Sequence, residues 1–265
     1  MKIVFIIKKL SISDPLGIMC LSSALKEAGH ETDLICFAKE NLFEKLRQLK
    51  PDVVAYSLTT GMHQGYISIN QEIKKHFKVY SVFGGPHPTF YPEMIKEEGV
   101  DAVCIGEGEE AFVEFVNKLE KKKDASRVKN FWVKNSKTGK IIKNPLRMLT
   151  ENLDKLPFAD RELIYKKDSF FEGLEIKRFM TGRGCPFKCT YCFNRQYNSL
   201  YKDKGKIIRH RSVDNVIKEI QEIKRKYPLR TIKFIDDTFN INSVWLKEFC
   251  EKYKEKINLP FICNI

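Results

Sequence analysis

The sequence predicts an α/β protein, with a doubly wound parallel sheet first and the opening βα units of a barrel after it. Three observations carry this. Strand-like and helix-like segments alternate five times over residues 1–123, the beat of a parallel sheet with crossover helices. The loops after those strands are rich in glycine, at the edge where such folds bind ligands. From residue 175 the alternation resumes, and its first strand runs into a loop with three closely spaced cysteines.

Residues 1–123 read as one domain. KIVFII (2–7) is a continuous apolar run, as suits a strand buried on both faces. Over 15–28, Leu16, Met19, Leu21, Leu25 and Ala28 recur at helical spacing, and Gly29 offers a stop. ETDLICF (31–37) is a second strand, followed by a helix across 42–49. DVVAYSL (52–58) is a third, with a helix around 65–77. VYSVFG (79–84) is a fourth, with a short helix near 92–98. DAVCIG (101–106) is a fifth, with a helix from 108 to about 122. The post-strand loops are SDPLG (13–17), SLTTGMH (57–63), GGPHPTF (84–90) and GEGEE (106–110). Gly84 and Gly85 carry no side chain where a ligand would approach the backbone. Ser57, Thr59 and Thr60 offer hydroxyls at a strand terminus.

Residues 124–174 read as a connector. FWVKNSKTGKIIKN (131–144) has the composition of a hairpin turning at 135–139. LDKLPFADRELI (153–164) is a polar crossover anchored by Phe158 and Leu163. The last segment, 175–265, opens with a strand at about 175–181. Ser212 caps a helix, TIKFIDDTFN (231–240) is a second strand, a helix spans 243–256, and LPFICNI (259–265) begins a third strand. Active sites of βα barrels lie at the carboxyl ends of the strands. Asp236 and Asp237 end the second strand, so at least one faces the same mouth as the cysteines. The competing role for one of them is a helix cap.

GRGCPFKCTYCFN (182–194) sets Cys185, Cys189 and Cys192 in a C-x3-C-x2-C spacing. Three thiolates this close can hold three corners of a cubane iron–sulfur cluster and leave the fourth iron open, as a catalytic metal site requires. Gly182, Gly184 and Pro186 suit a tight bend. Arg183 and Lys188 bring positive charge to offset the thiolates. Cys250 and Cys263 are too remote to serve as a fourth ligand. The alternative is a zinc site completed by a distant histidine such as His210, or three unrelated thiols.

Composition narrows the class. One tight triplet among eight cysteines, in a chain that opens on MKIVFII with no signal-peptide pattern, points to metal binding in the cytoplasm rather than to disulfides. The apolar runs are too short to span a bilayer. The net charge of +13 falls on lysines spread along helices as solvated faces. With no basic stripe interleaved with aromatics, it does not argue for nucleic acid.

The cysteine spacing, with Tyr191 just before the last cysteine, resembles the signature of the radical S-adenosylmethionine (SAM) enzymes. The resemblance implies a [4Fe–4S] cluster whose open iron chelates SAM, whose reductive cleavage gives methionine and a 5′-deoxyadenosyl radical. It also implies an external electron donor such as flavodoxin or ferredoxin, and a small-molecule substrate. It sets Tyr191 and Phe193 beside the adenine, and Asp236 and Asp237 near the SAM amino group. Ordinary packing is the plainer role for Tyr191 and Phe193. GGPHPTFYPE and VDAVCIGEGEE, over about residues 1–122, resemble the Rossmann-like cobalamin-binding domain that precedes this barrel in one large subfamily. There Ser57, Thr59, Gly84 and Gly85 would line the groove for the cobalamin nucleotide tail. LPFADR is similar to that subfamily's linker. The first loop, KKLSISDPLG, departs from the Asp-x-His-x-x-Gly pattern whose histidine binds cobalt from below in other cobalamin domains. His63 and His87 sit in other ligand-facing loops, where a solvated or loop-stabilising role is the plainer reading beside cobalt ligation.

The resemblance implies a cobalamin-dependent radical SAM enzyme, with methyl transfer or a related radical reaction in which the cofactors do the bond-making. A barrel of this family has six βα units, and the sequence reaches only its third strand, so it reads as a fragment or a shortened product. Two other readings compete: a non-catalytic fragment binding cobalamin or a nucleotide, and a zinc-binding structural protein.

Overall fold

The computed structural model describes residues 1–10 and 14–265, so the start of the SDPLG loop lies outside the described residues. It divides into two compact units, Met1–Arg147 with Ala159–Leu163, and Met148–Phe158 with Ile164–Ile265.

In the first unit, strands β1 (Lys2–Ile7), β2 (Glu31–Cys36), β3 (Val53–Ser57), β4 (Tyr80–Gly84) and β5 (Ala102–Cys104) alternate with helices. These are α1 (Leu16–Glu27), α2 (Leu42–Leu49), α3 (His63–His76), α4 (Pro86–Phe90) and α5 (Glu109–Glu120). The strands pair in parallel in the order β2-β1-β3-β4-β5. The order reverses direction at β1, as in a doubly wound sheet. Val4, Ile6, Val54 and Tyr56 form one buried face with Leu42, Leu46, Ile67 and Ile73 of α2 and α3. Ile3 and Phe5 alternate to the opposite face and are fully buried there, the side on which α1 and α5 pack together.

Two elements differ from the sequence reading. Residues 86–90, read as loop, form a helical turn that starts with Pro86 at its first position, where its fixed φ and missing N–H cost nothing. The hairpin expected in a connector is part of the sheet. Strand β6 (Phe131–Lys134) pairs antiparallel with β5, and β7 (Ile141–Lys143) pairs with β6. Phe131 and Val133 alternate inward and are buried, so joining the sheet removes them from water and covers the β5 edge. The Asn135 side chain accepts from Lys137 N and Thr138 N at 2.9 and 3.0 Å, and Gly139 takes a φ of 70° to close the turn. The LPFADR segment is divided between the units. Asp160 accepts from Ser22 Oγ at 2.6 Å and pairs with Lys26 at 2.7 Å, and Arg161 pairs with Asp14 at 3.0 Å, all within the first unit.

In the second unit, β8 (Ile176–Phe179), β11 (Thr231–Phe234) and β12 (Phe261–Ile262) form a parallel sheet in the order β12-β11-β8. Between β8 and β11 come β9 (Gly182–Arg183) and β10 (Arg209–His210), an antiparallel ribbon. The helices are α6 (Glu162–Tyr165), which straddles the unit boundary, α7 (Ser169–Gly173), α8 (Phe193–Leu200), α9 (Val213–Lys226) and α10 (Ser243–Lys256). Ser212 caps α9 by accepting from Asn215 N at 3.2 Å, and Asn242 caps α10 by accepting from Trp245 N at 3.1 Å. Val216, Ile220 and Ile223 of α9 and Trp245, Phe249 and Tyr253 of α10 meet Phe179, Ile232 and Phe234 in one core. The four-residue spacing of the α10 aromatics puts them on one face.

Truncating Phe131, fully buried and stacked on Phe115 at 4.3 Å, tests whether the hairpin belongs to the first unit. Phe131→Ala is expected to cost about 3–5 kcal/mol in a urea titration followed through the neighbouring Trp132; a change confined to a few tenths would mean the hairpin is an ornament.

Candidate functional site

At the carboxyl edge of the first sheet, the β3 and β4 loops are locked together. Leu58 N donates to Gly84 O at 2.8 Å and His87 N donates to Leu58 O at 2.9 Å. Gly85 has a φ of 91°, and a Cβ there would lie 2.8 Å from Leu58 N and 2.9 Å from Ser57 Oγ. No other residue fits that crossing without moving backbone. Gly84 differs: a Cβ would meet only Cys104 Cβ and Tyr56 O, both at 3.9 Å. The chain's own packing does not demand glycine at 84, so its bareness leaves room at the strand end. The structure thus gathers Ser57, Gly84 and Gly85, while Thr59 stands exposed on the same loop.

His87, which sequence reasoning treated as a bystander, is buried in this edge. Its Nδ1 lies 3.2 Å from Thr60 Oγ1, and its ring stacks on His63 at 4.0 Å and on Tyr91 at 5.3 Å. Burial, and then the adjacent His63 ring, push its pKa below the ordinary histidine value. The Nδ1 of His63 is buried with no hydrogen-bond partner. Residue spacing gave no signal of this stack, because 24 positions separate the two histidines in the sequence.

The cysteine loop leaves the carboxyl end of β8 and is held at its root by Asp236. The Asp236 carboxylate accepts from Thr181 N at 3.0 and 3.1 Å, from Thr181 Oγ1 at 2.9 Å and from Gly182 N at 2.5 Å. Burial raises its pKa, against the lowering pull of those hydrogen bonds. In the structure its oxygens are engaged by the loop, and the side chain is buried. Asp237 is exposed beside it. Arg211 holds the same root from the other side. Its backbone N donates to Thr181 O at 2.8 Å, and its guanidinium reaches Met180 O at 3.0 Å and the buried Glu219 at 2.5 Å.

Beyond the root, Gly184 turns with a φ of 91°, and a Cβ there would fall 2.1 Å from Ile207 O. Glycine is therefore obligatory at 184. Gly182 is nearly as confined, with Arg209 O 2.7 Å from a notional Cβ. Cys185 is buried; its carbonyl accepts from Asn198 Nδ2 at 2.9 Å and its Sγ lies 3.3 Å from Thr238 Oγ1. Cys189 is exposed and Cys192 half-buried before α8. Tyr191 and Phe193, both exposed, line a cleft of about 320 Å³ with Thr190, Cys192, Arg195 and Gln196, large enough for a small ligand. His210 packs on Trp245 at 5.3 Å. All eight cysteines are free. Among the described residues, no three His, Cys, Asp or Glu side chains gather closely enough to hold a metal ion. Thiolates repel one another until a cation draws them in, so ligand convergence goes with metal binding. Three soft thiol donors on one tightly bent loop fit an iron–sulfur cluster.

Residues 3–116 match the B12 binding domain family, and residues 179–264 match the Radical SAM superfamily. The chain joins a B12 binding domain to a radical SAM domain. It is 33% identical over 236 residues to an uncharacterized methyltransferase of Pyrococcus horikoshii, covering 86% of this chain and 50% of that protein. It is 24% identical to the anaerobic magnesium-protoporphyrin IX monomethyl ester cyclase of Synechocystis, covering 94% of this chain and 50% of that protein. The chain therefore spans about half the length of these curated relatives. Among solved structures, it superposes on the cobalamin-dependent SAM radical enzyme OxsB, with aqua-cobalamin and SAM bound, at a TM-score of 0.78. The identity is 20%, and the match covers 98% of this chain and 38% of that one. The radical SAM methyltransferase TsrM of Kitasatospora setae, with cobalamin and a [4Fe–4S] cluster bound, matches at 0.72 and 14% identity, covering 97% and 51%. These likenesses establish the fold. No helix among the described residues is long and apolar enough to cross a membrane.

Two outcomes follow from the geometry. Replacing Asp236 with Ala strands three buried donors, each worth about 1–3 kcal/mol; the variant should lose at least about 3 kcal/mol in thermal or urea unfolding, and an unchanged midpoint would disprove the clamp. His87 behaves oppositely to a salt-bridged histidine. With its folded pKa depressed, its contribution is intact above the ordinary histidine value and is lost as pH falls. The urea midpoint should drop between about pH 7.5 and about pH 5.5, and His87→Gln should flatten that drop.

Proposed function

We propose that the protein acts as a cobalamin-dependent radical SAM enzyme, serving methyl transfer or a related radical reaction on a small-molecule substrate. The observation that carries this reading is the C-x3-C-x2-C loop, clamped by Asp236 at the carboxyl end of a parallel sheet in a chain with a B12 binding domain. When bound, the cluster and SAM supply the radical and the cobalamin carries the methyl group.

The chain's own residues hold and orient these groups. Cys185, Cys189 and Cys192 serve as the three thiolate ligands, with Gly184 setting the bend between the root and the first of them. Tyr191 and Phe193 receive the adenine in the cleft beside Cys192. Asp237, exposed where Asp236 is engaged, takes the SAM amino group. At the first sheet, Ser57 and Thr59 offer hydroxyls to the cobalamin nucleotide tail, the space at Gly84 admits it, and Gly85 holds the loop crossing that lines it. The electron comes from an external donor. The cyclase relatives favour a ring-forming radical reaction as the second reading.

Anaerobic reconstitution with iron and sulfide tests the assignment. The wild-type chain and Cys250→Ala should take up one [4Fe–4S] cluster, with a broad visible absorbance that dithionite bleaches; Cys185→Ala, Cys189→Ala and Cys192→Ala should not. Equal iron and sulfide in the Cys189→Ala protein would remove the reading. In parallel, hydroxocobalamin titration should show binding that Gly84→Val weakens.

A further inference from the structure

The buried hydroxyl of Thr238 has one hydrogen-bond partner among the described residues, the sulfur of Cys185, 3.3 Å away. Thr238 is 8% exposed, as is Cys185, so the contact lies largely out of solvent. Thr238 lies just past the end of β11, two residues after the Asp236 clamp, and the clamp fixes the loop root against the same strand end. The S···O contact thus joins the loop after β11 to the cysteine loop, close to the Asp236 clamp. As a free thiol, Cys185 can donate or accept in this pair. As a metal-bound thiolate it has no proton, and the hydroxyl becomes the donor.

We infer that Thr238 is a positioning residue that tunes the cluster, its hydroxyl donating to the Cys185 thiolate and making one-electron reduction easier. The inference rests on the three-cysteine reading above. Hydrogen bonds to cluster sulfurs are one of the levers that set iron–sulfur potentials, because they stabilise the more electron-rich, reduced state. In this step one electron enters the cluster from the reductant, and no bond forms or breaks. Among the described residues, neither Cys189, exposed, nor Cys192, half-buried, has a hydroxyl partner of this kind, so the effect falls on one ligand.

Thr238→Val keeps the shape and removes the donor; Thr238→Ser keeps the donor and removes a methyl group. The reconstituted full chain is titrated with dithionite through mediator dyes, and the reduced cluster is followed by electron paramagnetic resonance. The Val variant is expected to load iron and sulfide as the wild type does, but to show a midpoint potential shifted to more negative values. The Ser variant should stay with the wild type. If the Val variant fails to hold iron, Thr238→Ala replaces it in the comparison with Ser. Matching potentials in Val, Ala and wild type overturn the inference alone, as does a Ser variant shifted as far as Val. A wild-type chain that takes up no iron overturns the three-cysteine reading and this inference with it.

Discussion

The cysteine loop depends on one carboxylate. Asp236 lies two residues past the end of β11 and engages both its oxygens with the backbone and hydroxyl of Thr181 and the backbone of Gly182. A loop root normally has unsatisfied N–H groups, and burying them without partners is costly. Here a side chain from the segment that follows the adjacent parallel strand supplies the acceptors, so the chain can leave β8, turn, and still be anchored. The cost is a buried acid whose pKa is driven up by its surroundings. That cost is met by geometry: Gly182 and Gly184 follow at once, and neither has space for a side chain.

The same logic operates at the first sheet with different groups. There the crossing of the β3 and β4 loops is closed by backbone hydrogen bonds, Leu58 N to Gly84 O and His87 N to Leu58 O. Gly85 is required by the close approach of Leu58, whereas Gly84 is spare. A glycine demanded by packing and a glycine left bare stand side by side, and only the second leaves space for something else. His87 stacks on His63 at this edge, and burial pushes the His87 pKa down, which ties the integrity of this edge to pH.

Much of this was legible in the order of residues. Apolar runs such as KIVFII, ETDLIC and VVAYS could be read as strands because parallel strands buried on both faces need continuous hydrophobicity. Helices could be read from their spacing and from caps such as Ser212. The cysteine triplet was legible because metal chemistry demands donors at short, fixed spacing on one loop. The hairpin was recognised as a hairpin but misplaced, since a turn signal in Asn135 and Gly139 is local while the edge it covers is not. Residues 86–90 read as loop because they follow Gly84 and Gly85 and hold two prolines, although Pro86 is well suited to a helix start.

The sequence by itself therefore determined the alternation of elements, the strand ends from which the loops leave, and the close spacing of the three thiols. Those properties depend on periodicity, turn chemistry and spacing, which are local. Only the tertiary structure decided that Asp236 is buried against the loop root while Asp237 stays exposed, since two adjacent carboxylates look alike until one strand end is set beside another. It likewise decided that His63 and His87 meet, that Arg211 and Asp236 grip Thr181 from two sides, and that the Thr238 hydroxyl has a cysteine sulfur as its partner. Each of these joins residues tens of positions apart, and a hydrogen bond reaching about 3 Å leaves no trace in the spacing of the residues that make it.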